Sequence, residues 1–114
     1  MLKFGLPDKT IATIQTILAE EAELQKAILY GSRAKGTYKN GSDIDLTLIG
    51  NTLTESTRMR LAHKLSDASI PYQVDLSLWD HIDNDDLKDH IRRVGQVFYE
   101  RPTITRQELK RSPK

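Results

Sequence analysis

The chain has 114 residues, no cysteine and a formal net charge of +1. Its length predicts a single domain, and the lack of cysteine excludes a disulfide scaffold, a thiolate zinc site and a thiol nucleophile. No stretch approaches the ~20 apolar residues that a membrane span needs, and the first residues contain no apolar run fit for a signal peptide, so a cytoplasmic protein is expected.

Charge is distributed unevenly along the chain. Residues 101–114 carry five Lys or Arg and one acidic residue, whereas the residues before them carry 12 basic and 15 acidic ones. Residues 1–100 are acidic overall and so do not provide the basic surface that binds duplex nucleic acid, and direct binding to a duplex is not expected. We predict a domain over residues 1–100 and a basic, flexible C-terminal tail over residues 101–114, whose prolines and polar residues favour disorder.

The first half of the chain contains helical and strand patterns in turn. Apolar residues recur at helical spacing after Pro7, which predicts an amphipathic helix over residues 8–23 with Asp8 as its cap. The apolar run Ala27–Tyr30 predicts a buried strand that ends at Gly31. The other elements predicted in this half are a short helical turn, a chain reversal and a second strand, at residues 32–35, 39–42 and 43–49.

The second half predicts a helix, a third strand and a last helix. The helix covers residues 54–68 with Thr54 near its cap, and the strand covers residues 72–78. The last helix begins in an aspartate-rich stretch and ends at Gly95. A crossover helix between the second and third strands predicts an α/β (α+β) fold, a small mixed β-sheet flanked by helices.

Three aspartates lie on the polar faces of the second and third strands. Asp43 and Asp45 point the same way, about 6.5 Å apart along the strand, because side chains alternate. Asp75 is delivered from a neighbouring strand about 4.8 Å away and can face the same side. A solvated strand face is the ordinary alternative, but adjacent carboxylates are unfavourable without a counter-ion. The pattern favours a Mg²⁺ site of the kind that serves displacement at phosphorus.

A glycine-serine turn comes directly before these aspartates. Gly31 and Ser32 follow a strand, where backbone N–H groups can bind phosphate, although Gly-Ser alone is a common turn pair. Of the two basic residues in the turn, Arg33 is favoured over Lys35 for forked contacts to phosphate. The turn and the aspartates together indicate metal-dependent nucleotidyl transfer.

The remaining conspicuous residues are predicted to be structural. The three histidines have no metal-ligand spacing and are expected on the surface, at positions 63, 81 and 90. The acidic run over residues 80–89 lacks the glycine and terminal glutamate of a calcium loop and is interpreted as helix capping and solvation. Trp79 and the pair Phe98–Tyr99 are expected to pack in the core or at its edge.

The chain resembles the polymerase-beta-like nucleotidyltransferase superfamily. The resemblance is carried by three strings, which are Tyr30–Gly36 (YGSRAKG), Ser42–Leu46 (SDIDL) and Val74–Leu76 (VDL). It is strongest to the minimal nucleotidyltransferases that serve as antitoxins beside HEPN-domain toxins. This resemblance implies a nucleotidyltransferase fold and an antitoxin that transfers AMP from ATP to a tyrosine of a partner HEPN ribonuclease, with which it forms a hetero-oligomer.

The resemblance also implies a role for each motif residue. The first motif binds the nucleotide, with Gly31, Ser32 and Arg33 as its contacts. The three acidic residues are catalytic and hold two Mg²⁺ ions, at Asp43, Asp45 and Asp75. Asp75 completes the metal site and assists deprotonation of the acceptor hydroxyl.

Two other functions fit the same sequence. A binding-only antitoxin would neutralise its partner by covering it, without catalysis. A nucleotidyltransferase for a small molecule, such as an aminoglycoside, would act without a partner protein. The sequence leaves open the acceptor, the choice of ATP over other nucleotides, the oligomeric state and the role of the basic tail.

Overall fold

The computed structural model of the chain describes residues 2–102. A two-stranded ribbon precedes a sheet of four strands, and helices flank that sheet. The strands are β1 (Leu2–Lys3), β2 (Leu6–Pro7), β3 (Lys26–Tyr30), β4 (Ile44–Ile49), β5 (Val74–Leu78) and β6 (Gln96–Glu100). The helices are α1 (Asp8–Ala19), α2 (Ser32–Lys35), α3 (Glu55–Asp67) and α4 (Asp85–Val94), with a 3-10 turn at Trp79–His81.

The four-stranded sheet is mixed, as the sequence predicts. Its strand order is β5-β4-β3-β6. Strand β3 pairs antiparallel with both β4 and β6, whereas β4 and β5 are parallel. Parallel neighbours need a long crossover, which α3 supplies between them. The aspartates of β4 and β5 therefore enter the sheet at the same end.

Helices cover the two faces of the sheet unequally. On one face, α1 and α3 bury Ile14, Leu18, Leu61 and Leu65 in a single core cluster. The strand residues of that cluster include Leu29, Leu46 and Leu76. On the other face, α4 lies against β3, where Gly95 approaches the side chain of Ile28. Because strand side chains alternate, this opposite face carries the polar residues of β3, β4 and β5.

Helix α1 is shorter than the predicted helix over residues 8–23. It ends at Ala19, and Glu21 turns inward to pair with Arg60 of α3 at 2.8 Å. Only Glu21 of this pair is buried, and the turn after α1 reverses the chain into β3. Asp8 lies in the first turn, not at the cap, which is Pro7 and makes no side-chain capping bond. Its charge still suits the helix N-terminus.

The later helices confirm the predicted boundaries closely. Thr54 caps α3 and forms a reciprocal capping box with Thr57. The side chain of Asn84 caps α4 by accepting a hydrogen bond from the Leu87 backbone N–H at 3.1 Å, and Gly95 follows its last turn. The acidic stretch before α4 thus leads into a helix start, as predicted.

Two parts of the sheet architecture were not predicted from the sequence. The β1–β2 ribbon closes through Phe4 and Gly5, whose φ angles are 59° and 73°. A bulky residue is uncommon in this left-handed region, and the loop does not contain the Asn-Gly pair that usually marks a hairpin turn. The sequence therefore did not indicate a turn here. The stacking of Phe4 on Phe98, with ring centroids 6.1 Å apart, holds it in place. Phe98 is buried, as predicted for packing, but it belongs to the edge strand β6.

The C-terminal part of the described chain is tied to the domain. The Arg101 backbone N–H donates to the Gln25 carbonyl at 2.9 Å. Residues 103–114, which make up most of the predicted basic tail, lie outside the described residues. Within residues 2–102, the helices are too short or too polar to cross a bilayer, and the cytoplasmic location stays a prediction.

Candidate active site

The site begins as a row of three residues across the sheet. Tyr30 of β3 lies opposite Asp45 of β4, and Asp45 lies opposite Asp75 of β5. Directly paired residues project from the same face, so the carboxylate of Asp75 is on the same side as that of Asp45. Asp43 lies one residue before β4, close enough to act electrostatically on Asp45. The register thus brings together the three aspartates that the sequence singled out.

Asp45 has the least favourable electrostatic position of the three. Its pKa is raised above the ordinary aspartate value, mainly by partial burial and further by the charges of Asp75 and Asp43. Within residues 2–102, none of the three aspartates forms an ion pair with Lys, Arg or His. Uncompensated negative charge of this kind favours a bound cation.

The donor set fits a hard divalent ion chemically. Asp43, Asp45 and Asp75 offer only carboxylate oxygens, which Mg²⁺ prefers over nitrogen or sulfur donors. Asp43 and Asp75 are exposed, and Asp45 is half-buried, so solvent reaches the group. In the described part of the chain, no group of three or more acidic, histidine or cysteine side chains is arranged to hold a metal ion by itself. Substrate phosphates and water usually supply some of the Mg²⁺ ligands, and the Mg²⁺ site at the three aspartates stays a prediction.

Gly31 brings the phosphate-binding turn into contact with this row. Its backbone angles, φ 76° and ψ −156°, lie in a region that only glycine enters readily. A Cβ atom at this position would lie 2.5 Å from Oδ2 of Asp45. The missing side chain therefore allows the turn to abut the carboxylate, and α2 begins immediately at Ser32. Turn and aspartates form one continuous site.

Arg33 is a buried clamp in this structure. It is 3% exposed, and its guanidinium donates hydrogen bonds to the Ser42 carbonyl at 2.9 and 3.1 Å and to the Phe4 carbonyl at 2.9 Å. The rings of Tyr38 and Tyr72 lie 5.2 and 5.0 Å from it. A contact between Arg33 and phosphate stays a prediction, and it would require the guanidinium to leave these partners.

His90 is a site residue that sequence reasoning missed. It was expected on the surface with the other histidines, but its Nε2 accepts a hydrogen bond from the Gly31 backbone N–H at 3.2 Å. Its ring also meets Tyr30 edge-on, at 6.3 Å between centroids and 81° between planes. Helical spacing could have indicated this position, because residue 90 lies on the same face of α4 as Leu87 and Ile91. His63 and His81 are exposed, as predicted.

Tyr30 forms the floor of the site beside Asp45. Its hydroxyl lies 3.4 Å from the Ser77 hydroxyl, two positions beyond Asp75 on β5. Burial is the main cause that raises its pKa above the ordinary tyrosine value; the hydrogen bond with Ser77 opposes this rise, and the charges of Asp45 and Asp75 add to it. Tyr30 is therefore a neutral phenol at physiological pH, suited to packing and hydrogen bonding.

Several proteins of known name or structure resemble this chain in sequence or in fold. A probable protein adenylyltransferase MntA from Haemophilus influenzae is 32% identical to this chain over 100 residues, which cover 87% of each protein. A crystal structure of a toxin–antitoxin with AMP-PNP matches with a TM-score of 0.63 and 26% identity, over 92% of this chain and 79% of that one. An MNT antitoxin in complex with tri-AMPylated Shewanella oneidensis HEPN toxin shares the fold, with a TM-score of 0.61 and 24% identity over 90% of this chain and 76% of that one.

The family is established by a match over most of the chain. The family model described as polymerase beta, nucleotidyltransferase, matches residues 12–104. The chain belongs to this nucleotidyltransferase family, and its mixed four-stranded sheet with flanking helices is the nucleotidyltransferase fold. Within the family it is a minimal nucleotidyltransferase of the HEPN/MNT toxin–antitoxin type.

Proposed function

We propose that this protein is an antitoxin that transfers AMP from ATP to a hydroxyl, most simply a tyrosine hydroxyl, of a partner HEPN ribonuclease toxin. The observation that carries the proposal is the pairing of Asp45 with Asp75 across parallel strands, with Gly31 pressed against Asp45. The MntA relative, described as a probable protein adenylyltransferase, and the complex that contains a tri-AMPylated HEPN toxin support the choice of reaction and acceptor.

In the proposed reaction, the acceptor oxygen attacks the α-phosphorus of ATP. A bond forms between that oxygen and phosphorus, the bond to the β-phosphate oxygen breaks, and pyrophosphate leaves in line. The acceptor proton passes to Asp75, which is exposed at the edge strand β5 and so accessible to an incoming side chain. Gly31 brings the glycine-serine turn beside the triphosphate, and Ser32 contacts it.

Asp43, Asp45 and Asp75 are the proposed ligands of two Mg²⁺ ions. When bound, Mg²⁺ neutralises phosphate charge and lowers the cost of removing the acceptor proton. The chain's own contribution is to hold three carboxylates on one face and to keep Tyr30 and Gly31 against Asp45. Burial first, and then the charges of Asp75 and Asp43, raise the pKa of Asp45, and a bound cation would offset all three effects.

The acceptor side of the site is open in the described chain. Asp43 and Asp75 are exposed, and β5 is an edge strand. A reaction that must exclude water needs a further wall, and a bound partner protein would provide one. This supports a protein acceptor over a small molecule.

The first test measures AMP transfer with Asp45 replaced. The protein, ATP and Mg²⁺ are incubated with a purified HEPN ribonuclease toxin offered as the acceptor, and the mass of that partner is followed. We expect the mass to rise by whole AMP units with the parent protein, and Asp45→Asn to slow transfer by about a hundredfold or more. Asp67→Asn on the exposed face of α3, where Asp67 pairs only with His63, is the matched control and should transfer normally.

Stability measurements separate loss of chemistry from loss of fold. Asp45→Asn removes a charge that burial, Asp75 and Asp43 all disfavour, so its Tm should equal or exceed that of the parent. If the parent leaves the partner mass unchanged, the proposed activity is wrong. Should Asp45→Asn still protect cells from the toxin as well as the parent does, the binding-only antitoxin is the correct function.

A further inference from the structure

The contact between α4 and the glycine-serine turn joins two parts of the chain that lie far apart in sequence. Gly31 donates its backbone N–H to Nε2 of His90, 59 positions later. The other side of the same residue is also held, because the Gly31 carbonyl accepts from the Lys35 backbone N–H at 3.1 Å. His90 is therefore one of two anchors that set the orientation of Gly31.

We propose that His90 is a positioning residue for ATP, which holds the Gly31 peptide so that the turn presents Ser32 to the triphosphate. This inference rests on the proposed function. Its ring is itself fixed, edge-on against Tyr30 and on the inner face of α4 beside the buried Ile91. A side chain held this firmly can transmit the position of α4 to the turn.

The direction of the hydrogen bond decides what His90 can do. Gly31 N–H is a donor, so Nε2 must carry the lone pair and the proton of the neutral imidazole must be on Nδ1. The Gly31 amide is then occupied, and phosphate is met by the groups that follow, beginning with Ser32. Because Nε2 is engaged by the backbone, His90 in this arrangement is not offering that atom to a metal ion.

Two substitutions at position 90 separate the role of the hydrogen-bond acceptor atom from the role of the aromatic ring. His90→Gln keeps an acceptor oxygen at about the reach of Nε2, whereas His90→Phe keeps the aromatic edge against Tyr30 but accepts no hydrogen bond. His63→Gln is the matched control, since His63 is exposed on α3 and, among residues 2–102, pairs with Asp67 alone. All four proteins, including the parent, are compared for KM and kcat of AMP transfer and for the affinity of a fluorescent ATP analogue.

We expect His90→Phe to raise KM for ATP and weaken binding of the analogue by about fivefold, the effect of losing one net hydrogen bond, with a smaller change in kcat. His90→Gln should recover most of the loss, and His63→Gln should behave as the parent does. If His90→Phe and His90→Gln lose ATP binding equally, and the loss parallels a fall in Tm, His90 has a structural role only. Tighter binding in His90→Phe would mean that His90 competes with phosphate for the amide. Either result overturns the proposal.

Amide hydrogen exchange gives a readout that does not depend on activity. Exchange at Gly31 should accelerate in His90→Phe and remain near the parent rate in His90→Gln, because only the Phe variant frees the amide. Unchanged exchange in His90→Phe overturns the inference. If the parent binds no ATP, the proposed function falls and this role with it, whereas normal ATP binding with an unchanged KM in His90→Phe overturns the role alone.

Discussion

Gly31 is constrained twice, by its conformation and by its neighbour. Its φ of 76° and ψ of −156° disfavour any side chain, and Asp45 occupies the place where a Cβ would lie. Gly41, in contrast, is constrained by its conformation alone. Gly41 has a φ of 83°, yet a Cβ there would meet nothing within 4 Å. A comparison of Gly31 with Gly41 therefore separates the effect of backbone strain from the effect of a Cβ atom that displaces Asp45.

Gly31→Ala should both destabilise the protein and abolish AMP transfer. Backbone strain of this kind costs about 1–3 kcal/mol, and the new methyl group must displace the Asp45 carboxylate. Urea denaturation and the partner-mass assay measure the two effects. Gly41→Ala, the control, should lose comparable stability and keep its activity. Normal transfer by Gly31→Ala would contradict the close approach of turn and carboxylate.

At the scale of elements, Arg33 joins the β1–β2 ribbon to the site. Its bonds to the carbonyls of Phe4 and Ser42 link the ribbon and the loop before β4 to helix α2. The two tyrosine rings around it belong to that loop and to the segment before β5. A motif arginine thus organises four separate segments around the phosphate-binding turn.

Arg33→Lys should lower the free energy of unfolding by about 2 kcal/mol, because an ammonium cannot reproduce the forked contacts to the two carbonyls. Urea denaturation measures the loss. Lys35→Arg is the converse substitution at an exposed position two residues away and should change stability by less than about 0.5 kcal/mol. A stable Arg33→Lys protein with a raised KM for ATP would favour the nucleotide contact predicted from the motif over the clamp.

At the scale of the whole molecule, Arg101 closes the domain. Beyond its backbone bond to Gln25, its side chain donates to the carbonyls of Leu24 at 2.9 Å, Ala19 at 3.0 Å and Glu21 at 2.7 Å. These carbonyls lie in the reversal between α1 and β3, where helix carbonyls lack intrahelical partners. The edge strand β6 is thereby fastened to the first helix.

Truncation after Pro102 and truncation after Glu100 should therefore differ. We expect the chain that ends at Pro102 to unfold with the free energy of the full chain, and the chain that ends at Glu100 to lose about 2 kcal/mol. Arg101→Ala in the full chain should reproduce most of that loss, and urea denaturation compares all four proteins. Equal stability of the two truncated chains would support the domain boundary at residue 100 that charge and composition predict.

How much could be predicted depended on whether the signal was local. The cap at Thr54 and the alternation around Asp75 are short-range features, and α3 and β5 follow them closely. The Phe4–Gly5 reversal carried no usable signal, since a phenylalanine at positive φ depends on stacking with Phe98, far along the chain. The early end of α1 is followed by another contact between distant segments, the pairing of Glu21 with Arg60 of α3.

Periodicity and the order of residues alone determined three strands of the sheet, the crossover helix and the three aspartates on one set of strand faces. Those features follow from side-chain alternation and helical spacing, which are properties of neighbouring residues. Only the tertiary structure decided that Asp75 lies opposite Asp45, that Arg33 points into the protein, and that His90 reaches Gly31. Strand register and helix placement depend on packing between segments that are distant in sequence, so local sequence patterns do not specify them.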